Sequence, residues 1–329
     1  MKLAVLADIH GNLPALEAVV AELDRIEPDF VVVDGDLINP VPYSAEVLDF
    51  VRATDWAVVR GNHEFYLLDF GTARAAPDSA DSERWGCLHW LVDNISPDQA
   101  RYLAALPDER TLYFPGTQPI RVAHGVPGRN RVGFYQQMPA EKIVPEIKDI
   151  AERTIISAHT HVQVDRHLSF LDAIDPFADP HDESSRFFDG YAAHQRDSIL
   201  HWHVINPGSV GLPLSADPRA AFAVLESVDE DDEPGGWRCT HHRVDYDRAP
   251  VLDAFRTSGL LDMGGVVARL FYWELVTAEA EIIHYYHWCR DNGVDPDGNM
   301  PAALAQYQAA TGRNHYVAQR DPTMKATRP

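Results

Sequence analysis

Five short apolar runs in the first half of the chain each end in carboxylate, amide or imidazole side chains, and this repetition constrains the fold most strongly. Each run is rich in Val, Ile, Leu or Ala, and each polar cluster lies at or beside a glycine or another small residue. Runs of this length predict β-strands, so the polar side chains are expected at strand ends. In chain order the clusters are Asp8 with His10, Asp36, Asn62 with His63, His124, and His159 with His161.

The segments between these runs favour helices. Apolar residues recur at helical spacing from Leu13 to Ile26, and Pro14 lies in the first turn, where proline is tolerated. Residues 44–53 predict a second helix. Because alternating strands and helices bring strand ends to one edge of a sheet, we predict an α/β fold with its functional site along that edge.

The side chains gathered at this edge are metal-ligand types. A mixture of carboxylate, amide and imidazole donors suits borderline divalent ions such as Mn, Fe, Zn or Co better than Ca or purely soft metals. The sequence therefore predicts a metal site at the strand ends.

In this order, the motifs resemble the signature of the calcineurin-like metallophosphoesterases. The matching elements are Asp8-x-His10, Gly35-Asp36, Gly61-Asn62-His63-Glu64, His124-Gly125 and His159-x-His161, and the resemblance spans residues 1 to about 248. Within that superfamily, the segments 8–12 and 205–211 resemble the small bacterial and archaeal phosphodiesterase branch. The resemblance implies an α/β fold in four αββα layers, a two-sheet sandwich flanked by helices, here with a C-terminal helical extension.

The resemblance also implies two metal ions that share one carboxylate. Asp36 would bridge them, since each of its oxygens can bind a different ion. Such a pair would clamp a phosphoryl group and produce a bridging hydroxide that attacks phosphorus in line with the leaving oxygen. Manganese is the expected metal, with Fe, Zn, Ni, Co or Mg as alternatives. The implied ligands are Asp8, His10, Asp36 and His161 for one ion, and Asp36, Asn62, His124 and His159 for the other.

His63 follows a ligand but is not a ligand in the family pattern. His63 and Asp36 are the predicted catalytic residues. The imidazole of His63 can protonate a leaving alkoxide or hold a phosphate oxygen near neutral pH. Glu64 is the expected partner that orients it.

Four more residues are candidates for substrate binding, and each has a structural alternative. Asn12 could cap the first helix, and Arg60 could form a salt bridge beneath the site. Asn39 could be a turn residue, and Asn206 lies in an Asn-Pro-Gly-Ser sequence that is typical of a turn.

Two departures from the family pattern bear on function. Ala158 stands where the family usually has glycine before His-x-His, which is acceptable wherever φ is negative. The segment after Asp36 lacks the Asp-Arg-Gly of protein Ser/Thr phosphatases. Because the arginine of that motif contacts phosphate, its absence argues against a phosphoprotein substrate.

The rest of the chain predicts an insertion and an extension. A polar, Asp-rich segment at about 168–198 is interpreted as an insertion or lid within a domain covering 1–248. Residues 249–329 predict a helical extension, chiefly at 265–290, followed by a polar tail from Asp291. Its aromatic residues are interpreted as helix packing rather than a base-stacking surface. Either part could support a homo-oligomer.

Charge and cysteine content exclude some classes of protein. The net charge of −22 disfavours tight binding to nucleic acid, which requires cationic groups against the phosphate backbone. The three cysteines are far apart and form no CxxC pair, so a disulfide framework is not expected. The apolar runs are far shorter than the roughly 20 residues of a membrane-spanning helix. With no recognisable signal peptide, the expected location is the cytoplasm, away from membranes.

We therefore predict a dinuclear phosphodiesterase that acts on a small-molecule phosphate ester or nucleotide. Hydrolysis of dinucleoside polyphosphates or of phosphomonoesters is the alternative within the enzyme class. The alternative of another class is a non-catalytic metal-binding scaffold, which is disfavoured because every implied ligand and His63 are present. A nuclease is disfavoured because neither the insertion nor the tail is basic.

Overall fold

A computed structural model describes residues 1–169 and 201–325. Its ten strands form two five-stranded sheets, which we call sheet A and sheet B. The strands are β1 Lys2–Leu6, β2 Phe30–Asp34, β3 Ala57–Val59, β4 Glu109–Leu112, β5 Ile120–Ala123, β6 Thr154–Ile156, β7 Val164–Ser169, β8 His201–Asn206, β9 Ala220–Ser227 and β10 Trp237–Val244.

Thirteen helices of the described residues surround or extend these sheets. The first six are α1 Leu13–Ile26, α2 Ser44–Arg52, α3 Asn62–Asp69, α4 Ser82–Asn94, α5 Pro97–Ala105 and α6 Ala140–Ile147. The C-terminal seven are α7 Ala249–Thr257, α8 Leu260–Met263, α9 Gly265–Thr277, α10 Glu281–Asp291, α11 Met300–Thr311, α12 Arg313–Arg320 and α13 Pro322–Lys325. No helix within 1–169 and 201–325 is both long and apolar enough to cross a lipid bilayer.

Each sheet contains three parallel strands, which lie at one edge of sheet A and in the centre of sheet B. Sheet A has the order β10-β9-β1-β2-β3, in which β1, β2 and β3 are parallel. Sheet B has the order β4-β5-β6-β8-β7, in which β5, β6 and β8 are parallel. The parallel strands carry the polar clusters at their carboxyl ends, so both sheets deliver these side chains to the same side of the molecule.

The two sheets pack face to face through alternate apolar side chains. Leu3, Val5 and Val32 of sheet A meet Ile120, Val122 and Ile156 of sheet B in one buried cluster. The outer face of sheet A is covered by α1, α2, α4 and α5, and that of sheet B by α6. The predicted α/β sandwich in four αββα layers with a C-terminal helical extension is therefore confirmed.

The C-terminal helices pack against α4 at very close range. A Cβ atom on Gly86 of α4 would lie 2.6 Å from the carbonyl oxygen of Met263 and 2.6 Å from the carbonyl carbon of Gly264. Glu83 of α4 accepts a hydrogen bond of 2.9 Å from the backbone N–H of Val266, near the start of α9. These contacts fix α9 in position relative to α4.

The extension differs from the sequence-based prediction in its last part. The helices expected chiefly at 265–290 are present as α9 and α10, and they are separated at Ala278, which adopts a left-handed conformation with φ 56° and ends α9. The segment after Asp291, expected to be a polar tail, contains α11, α12 and α13. Met300, Leu304 and Tyr307 are buried there at helical spacing, a weak apolar pattern that its polar neighbours obscure.

The boundary predicted near residue 248 falls between the end of β10 at Val244 and the start of α7 at Ala249. The insertion predicted at about 168–198 lies, except for its first two residues, outside the described residues. Ser169, the last residue of β7, pairs with His201, the first residue of β8. This pair lies at the end of sheet B opposite the candidate site.

Replacement of Gly86 by alanine tests the close packing of α9 on α4. Alanine normally favours a helix over glycine by about 1 kcal/mol. Because the added methyl group collides with backbone, we expect Gly86→Ala to lower the free energy of unfolding by about 1–3 kcal/mol, measured by urea denaturation. Asp93→Ala, at an exposed position of the same helix, is the control. An unfolding midpoint for Gly86→Ala equal to or above that of the wild type would contradict the packing.

The buried carboxyl group of Glu274 on α9 makes stability depend on pH. Burial raises its pKa from 4.5 to about 8, and the nearby Glu281 adds to this effect. A raised pKa means that the folded state holds a proton that the unfolded state loses. The protonated Glu274 therefore makes its full contribution to the free energy of unfolding below pH 4.5, and this contribution falls as the pH rises towards about 8.

We expect Glu274→Gln to remove this part of the pH dependence, because glutamine keeps the acceptor for the Ile282 N–H without ionising. At pH 8 the variant should exceed the wild type in free energy of unfolding by about 2–4 kcal/mol, and the two should converge below pH 5. Urea titrations at several pH values measure this, with the exposed Glu17→Gln as control. Parallel pH profiles for wild type and Glu274→Gln would contradict the assignment.

Candidate metal centre

The loops that follow β1, β2, β3, β5 and β6 meet at one edge of the sandwich. Six non-glycine residues of these loops have left-handed backbone with φ between 51° and 68°. Left-handed conformations cost energy in non-glycine residues and concentrate at functional sites. The six are Asp8, His10, Asp36, Asn39, His159 and His161.

Glycine is required where the backbone passes close to Asp36. A Cβ atom on Gly61 would lie 2.2 Å from Asp36 Oδ1. Without a side chain, this residue lets the loop after β3 reach the carboxylate, and the N–H of His63 donates a hydrogen bond of 2.8 Å to the same oxygen.

Backbone carbonyls set the tautomers of three imidazoles. The Nδ1–H groups of His10, His124 and His161 donate to the carbonyl oxygens of Asn39, Asp34 and Leu212, at 2.5, 2.7 and 2.6 Å. Since a carbonyl only accepts, each Nδ1 carries the hydrogen, and each Nε2 of the neutral ring has a free lone pair. Outer hydrogen bonds of this kind are typical of metal-binding histidines.

These lone pairs converge on each other and on carboxylates. His10 Nε2 and His161 Nε2 are 3.0 Å apart. His161 Nε2 lies 3.6 Å from Asp8 Oδ1, and His10 Nε2 lies 3.8 Å from Asp36 Oδ2. The four side chains place one ligand atom each within 4.8 Å of one another. No hydrogen is available between the two neutral rings, so a cation is the group that this first cluster fits.

A second cluster shares Asp36 with the first. His124 Nε2 is 3.2 Å from Asp36 Oδ2 and 3.1 Å from Asn62 Oδ1. His159 Nδ1 is 2.8 Å from the same amide oxygen. Asp36, His124 and His159 place ligand atoms within 4.8 Å of one another. The structure thus brings together the seven predicted ligands in two groups that meet at Asp36.

The unpaired carboxylate of Asp8 indicates that the first cluster suits a positive charge. Neither of its carboxylate oxygens has a hydrogen-bond partner within 1–169 and 201–325, although the side chain is fully buried. Burial raises the pKa of this carboxyl group well above its usual value. A buried carboxylate without a partner is very costly, and coordination to a cation removes that cost. Mixed oxygen and nitrogen donors fit borderline divalent metals.

The imidazoles of His10, His63 and His161 are neutral at pH 7, the form that binds a metal. Burial, with a further contribution from the charge of His63, lowers the pKa of His10 to about 3. Burial likewise lowers the pKa of His63 to about 4 and holds that of His161 well below its usual value. His124 differs, because burial alone would lower its pKa but the nearby carboxylates, chiefly Asp36, raise it well above its usual value.

His63 lies beside the shared carboxylate and faces a cavity. Its Nε2 is 4.0 Å from Asp36 Oδ2, and its Nδ1 is 3.1 Å from the side-chain nitrogen of Asn39. If that amide donates, Nδ1 accepts and Nε2 carries the hydrogen. The expectation that Glu64 orients His63 is wrong. The Glu64 carboxylate instead accepts three backbone N–H bonds, from Asp36, Leu37 and Gly61.

Three of the four predicted substrate contacts form hydrogen bonds or ion pairs within the protein. Asn12 is fully buried, caps α1 through Ala15 N–H, and donates to Gly211 O and Tyr246 OH. Arg60 pairs with Asp108.

Asn206, also buried, donates to Ala158 O and Thr160 Oγ1 and accepts from Gly208 N–H. In Asn12 and Asn206 the polar groups of the side chain are already engaged. Asn39 is the exception, since it lines the cavity.

The cavity beside His63 has a volume of about 400 Å³ and lies between the sandwich and the C-terminal helices. Besides the predicted Asn39, Asn62 and His63, its walls contain residues that were not predicted from the sequence. Tyr66, one helical turn after His63, was detectable from its i+3 spacing on α3. Trp85, Phe271 and Tyr286 come from elements that only tertiary packing brings to the site. Asp34 was missed as well, although its backbone carbonyl orients His124.

Comparison with known proteins identifies relatives of this arrangement. The family model described as calcineurin-like phosphoesterase matches residues 1–185, more than half of the chain. An uncharacterized protein of Methanocaldococcus jannaschii is 23% identical over 248 residues, which cover 74% of this chain and 88% of that protein. A symmetrical bis(5'-nucleosyl)-tetraphosphatase of Pectobacterium carotovorum is 39% identical over 71 residues, 21% of this chain and only 25% of that enzyme.

Two solved structures share the fold. A metallophosphoesterase from Sphaerobacter thermophilus superposes with a TM-score of 0.55 at 24% identity, covering 79% of this chain and 94% of that one. A hypothetical protein from Pyrococcus horikoshii superposes with a TM-score of 0.58 at 19% identity, covering 82% and 97%. At this level of identity the likeness concerns the fold alone.

Replacement of the shared carboxylate distinguishes two coupled sites from two separate ones. Because Asp36 belongs to both clusters, we expect Asp36→Asn to lower the metal affinity of both clusters by about 10-fold or more. His159→Ala, which changes the second cluster alone, is the matched control. Metal content after dialysis, measured by plasma mass spectrometry, reports both. Loss of one ion from Asp36→Asn would show that the carboxylate does not bridge.

Proposed function

The chain belongs to the calcineurin-like phosphoesterase family, and from this premise we propose that it is a dinuclear phosphodiesterase of small molecules or nucleotides. One observation carries the proposal. Two clusters suited to divalent cations share Asp36, and a non-ligand imidazole, His63, lies beside them at the mouth of a cavity. A phosphoester hydrolase needs such a centre, whereas a scaffold has no use for the additional imidazole.

We propose that one ion binds Asp8, His10, Asp36 and His161, and the other binds Asp36, Asn62, His124 and His159. When bound, two divalent ions supply Lewis-acid polarisation of a phosphoryl group, and manganese is among the metals that suit these donors.

The chain itself supplies a hydrogen-bond donor. With Nδ1 of His63 held by the Asn39 amide, the Nε2–H group of the neutral ring is free to donate a hydrogen bond to a leaving oxygen or to a phosphoryl oxygen. His63 side-chain exposure is 13%, which leaves one ring edge accessible from the cavity. Asn39 is a positioning residue in this scheme, since it contacts His63 through its side chain and His10 through its backbone.

Hydrolysis of dinucleoside polyphosphates is the second candidate. The similarity of 71 residues to a symmetrical bis(5'-nucleosyl)-tetraphosphatase favours it over other phosphate esters. The shared stretch is a quarter of that enzyme, so it bears little on the substrate choice of the whole enzyme.

Hydrolysis assays test the class of substrate. Protein stripped of metal and reloaded with Mn²⁺, Ni²⁺, Co²⁺, Zn²⁺ or Mg²⁺ should hydrolyse bis-p-nitrophenyl phosphate faster than p-nitrophenyl phosphate. Faster release from the monoester would indicate a phosphatase, and preference for diadenosine tetraphosphate would favour the second candidate. Binding of two ions per chain without turnover of any of these esters would contradict the enzyme and favour a non-catalytic metal-binding scaffold.

His63→Ala separates hydrogen bonding to the substrate from metal binding. Because His63 is outside the proposed ligand sets, the variant should keep its metal content while kcat falls by about 10²–10⁴-fold. His284→Ala, an exposed histidine of α10, should leave both unchanged. Normal turnover in His63→Ala would remove this residue from the mechanism.

A further inference from the structure

We propose that the cavity between α3–α4 and the C-terminal helices α9–α10 is a nucleobase subsite, so that the substrate at the metal centre is a nucleotide ester. This inference rests on the proposed function, which places the reacting phosphate of the substrate at the metal centre. It assigns to the C-terminal extension a role in substrate recognition.

The cavity is continuous with the candidate metal centre. Asn62, a predicted ligand, and His63, the predicted proton donor, both form part of its wall. Its volume of about 400 Å³ lies within the range of small-molecule pockets. A phosphoryl group at the metal centre would therefore place one ester substituent in this cavity.

Aromatic side chains line the cavity from both sides. Tyr66 of α3 and Trp85 of α4 pack edge to face, with ring centroids 5.0 Å apart. Phe271 of α9 and Tyr286 of α10 line the opposite wall. All four are partly exposed, unlike Tyr272, Trp273 and Tyr285, which are buried in the helical cluster. The sequence-based interpretation of helix packing holds for the buried rings and also for Phe271 and Tyr286, which pack against the same helical cluster and line the cavity as well.

Two side chains of the cavity wall each carry a buried N–H group without an acceptor. Arg84 Nε and Trp85 Nε1 lack a hydrogen-bond partner anywhere in 1–169 and 201–325, and both atoms are shielded from solvent. An unpaired buried donor costs about 1–3 kcal/mol, which a ligand that carries acceptors recovers when a side-chain rotation turns the N–H group into the cavity. Purine and pyrimidine rings combine stacking faces with ring-nitrogen and carbonyl acceptors. An aliphatic chain offers no acceptor, and a sugar offers no aromatic face.

The charge of the cavity favours a neutral group over a second phosphate. Arg84 is its cationic side chain, and the guanidinium pairs with Asp297 while lying 6.0 Å from the centroid of the Tyr286 ring. Because the carboxylate compensates this charge, the cavity offers donors without a net positive field. A base fits these conditions better than the additional phosphates of a polyphosphate chain.

The opposing walls are held at a fixed separation. The close contact of Gly86 with Met263 and Gly264, together with the Glu83–Val266 hydrogen bond, positions α9 against α4 next to the cavity. A preformed slot between rigid helices binds a flat ring with little loss of conformational entropy.

Binding of matched ligands with and without a base tests the subsite. The probes are 5′-phosphonate analogues of the four ribonucleoside monophosphates and of ribose 5-phosphate, in which carbon replaces the ester oxygen and prevents hydrolysis. With Mn²⁺-loaded full-length protein, isothermal titration calorimetry should show at least one nucleotide analogue binding about 10-fold or more tighter than the ribose analogue.

Two variants test whether the preference for a base arises in this cavity. Trp85→Phe keeps a ring but removes the Nε1–H donor, and Phe271→Ala removes a wall contributed by the extension. Each should reduce the base-dependent gain by about 3- to 10-fold, whereas Trp56→Phe, at the opposite end of sheet A, should retain it. If Phe271→Ala does not fold, the conservative Trp85→Phe still decides the question.

The outcomes separate this inference from the proposed function. Equal affinity for all five analogues, or a base preference that survives Trp85→Phe, would overturn the nucleobase subsite. Turnover of bis-p-nitrophenyl phosphate with no base preference would overturn the subsite alone. A base preference lost in Trp85→Phe, with no turnover of any ester, would leave the subsite in place and overturn hydrolysis.

Discussion

Three hydrogen bonds from imidazole Nδ1–H groups to backbone carbonyls determine the chemistry of this protein. They orient His10, His124 and His161 so that their Nε2 atoms point towards the carboxylates of Asp8 and Asp36. An arrangement of lone pairs and carboxylates is unfavourable unless a cation occupies the centre. The left-handed loop residues and the bare backbone of Gly61 are conformational requirements of this one arrangement.

The same constraint explains how an acidic chain suits an anionic substrate. A net charge of −22 repels polyanions at long range, and several carboxylates of that total face the candidate centre. Two divalent ions there would reverse the local field, so that attraction for phosphate is confined to the strand ends. This favours a small ester over a nucleic acid, whose backbone would lie against acidic surface.

The C-terminal helices change what the sandwich presents beside this centre. Their cluster is anchored on α4 by the glycine contact and by Trp90, whose indole N–H donates to Ser258 O. Phe271 and Tyr286 thereby reach the wall of a cavity that opens beside His63. The proposed specificity thus depends on an element outside the residues that match the family model, 1–185.

The sequence by itself determined the α/β sandwich and the seven candidate ligands, because each ligand directly follows an apolar strand and strand ends converge in parallel sheets. Tertiary structure decided the rest. It engaged Asn12 and Asn206 in structural hydrogen bonds and turned Glu64 towards the backbone. It also joined Trp85 to Phe271 in one cavity, across nearly two hundred residues of chain. Such pairings depend on which helices pack together, and the periodicity of each helix in the sequence does not specify its partner.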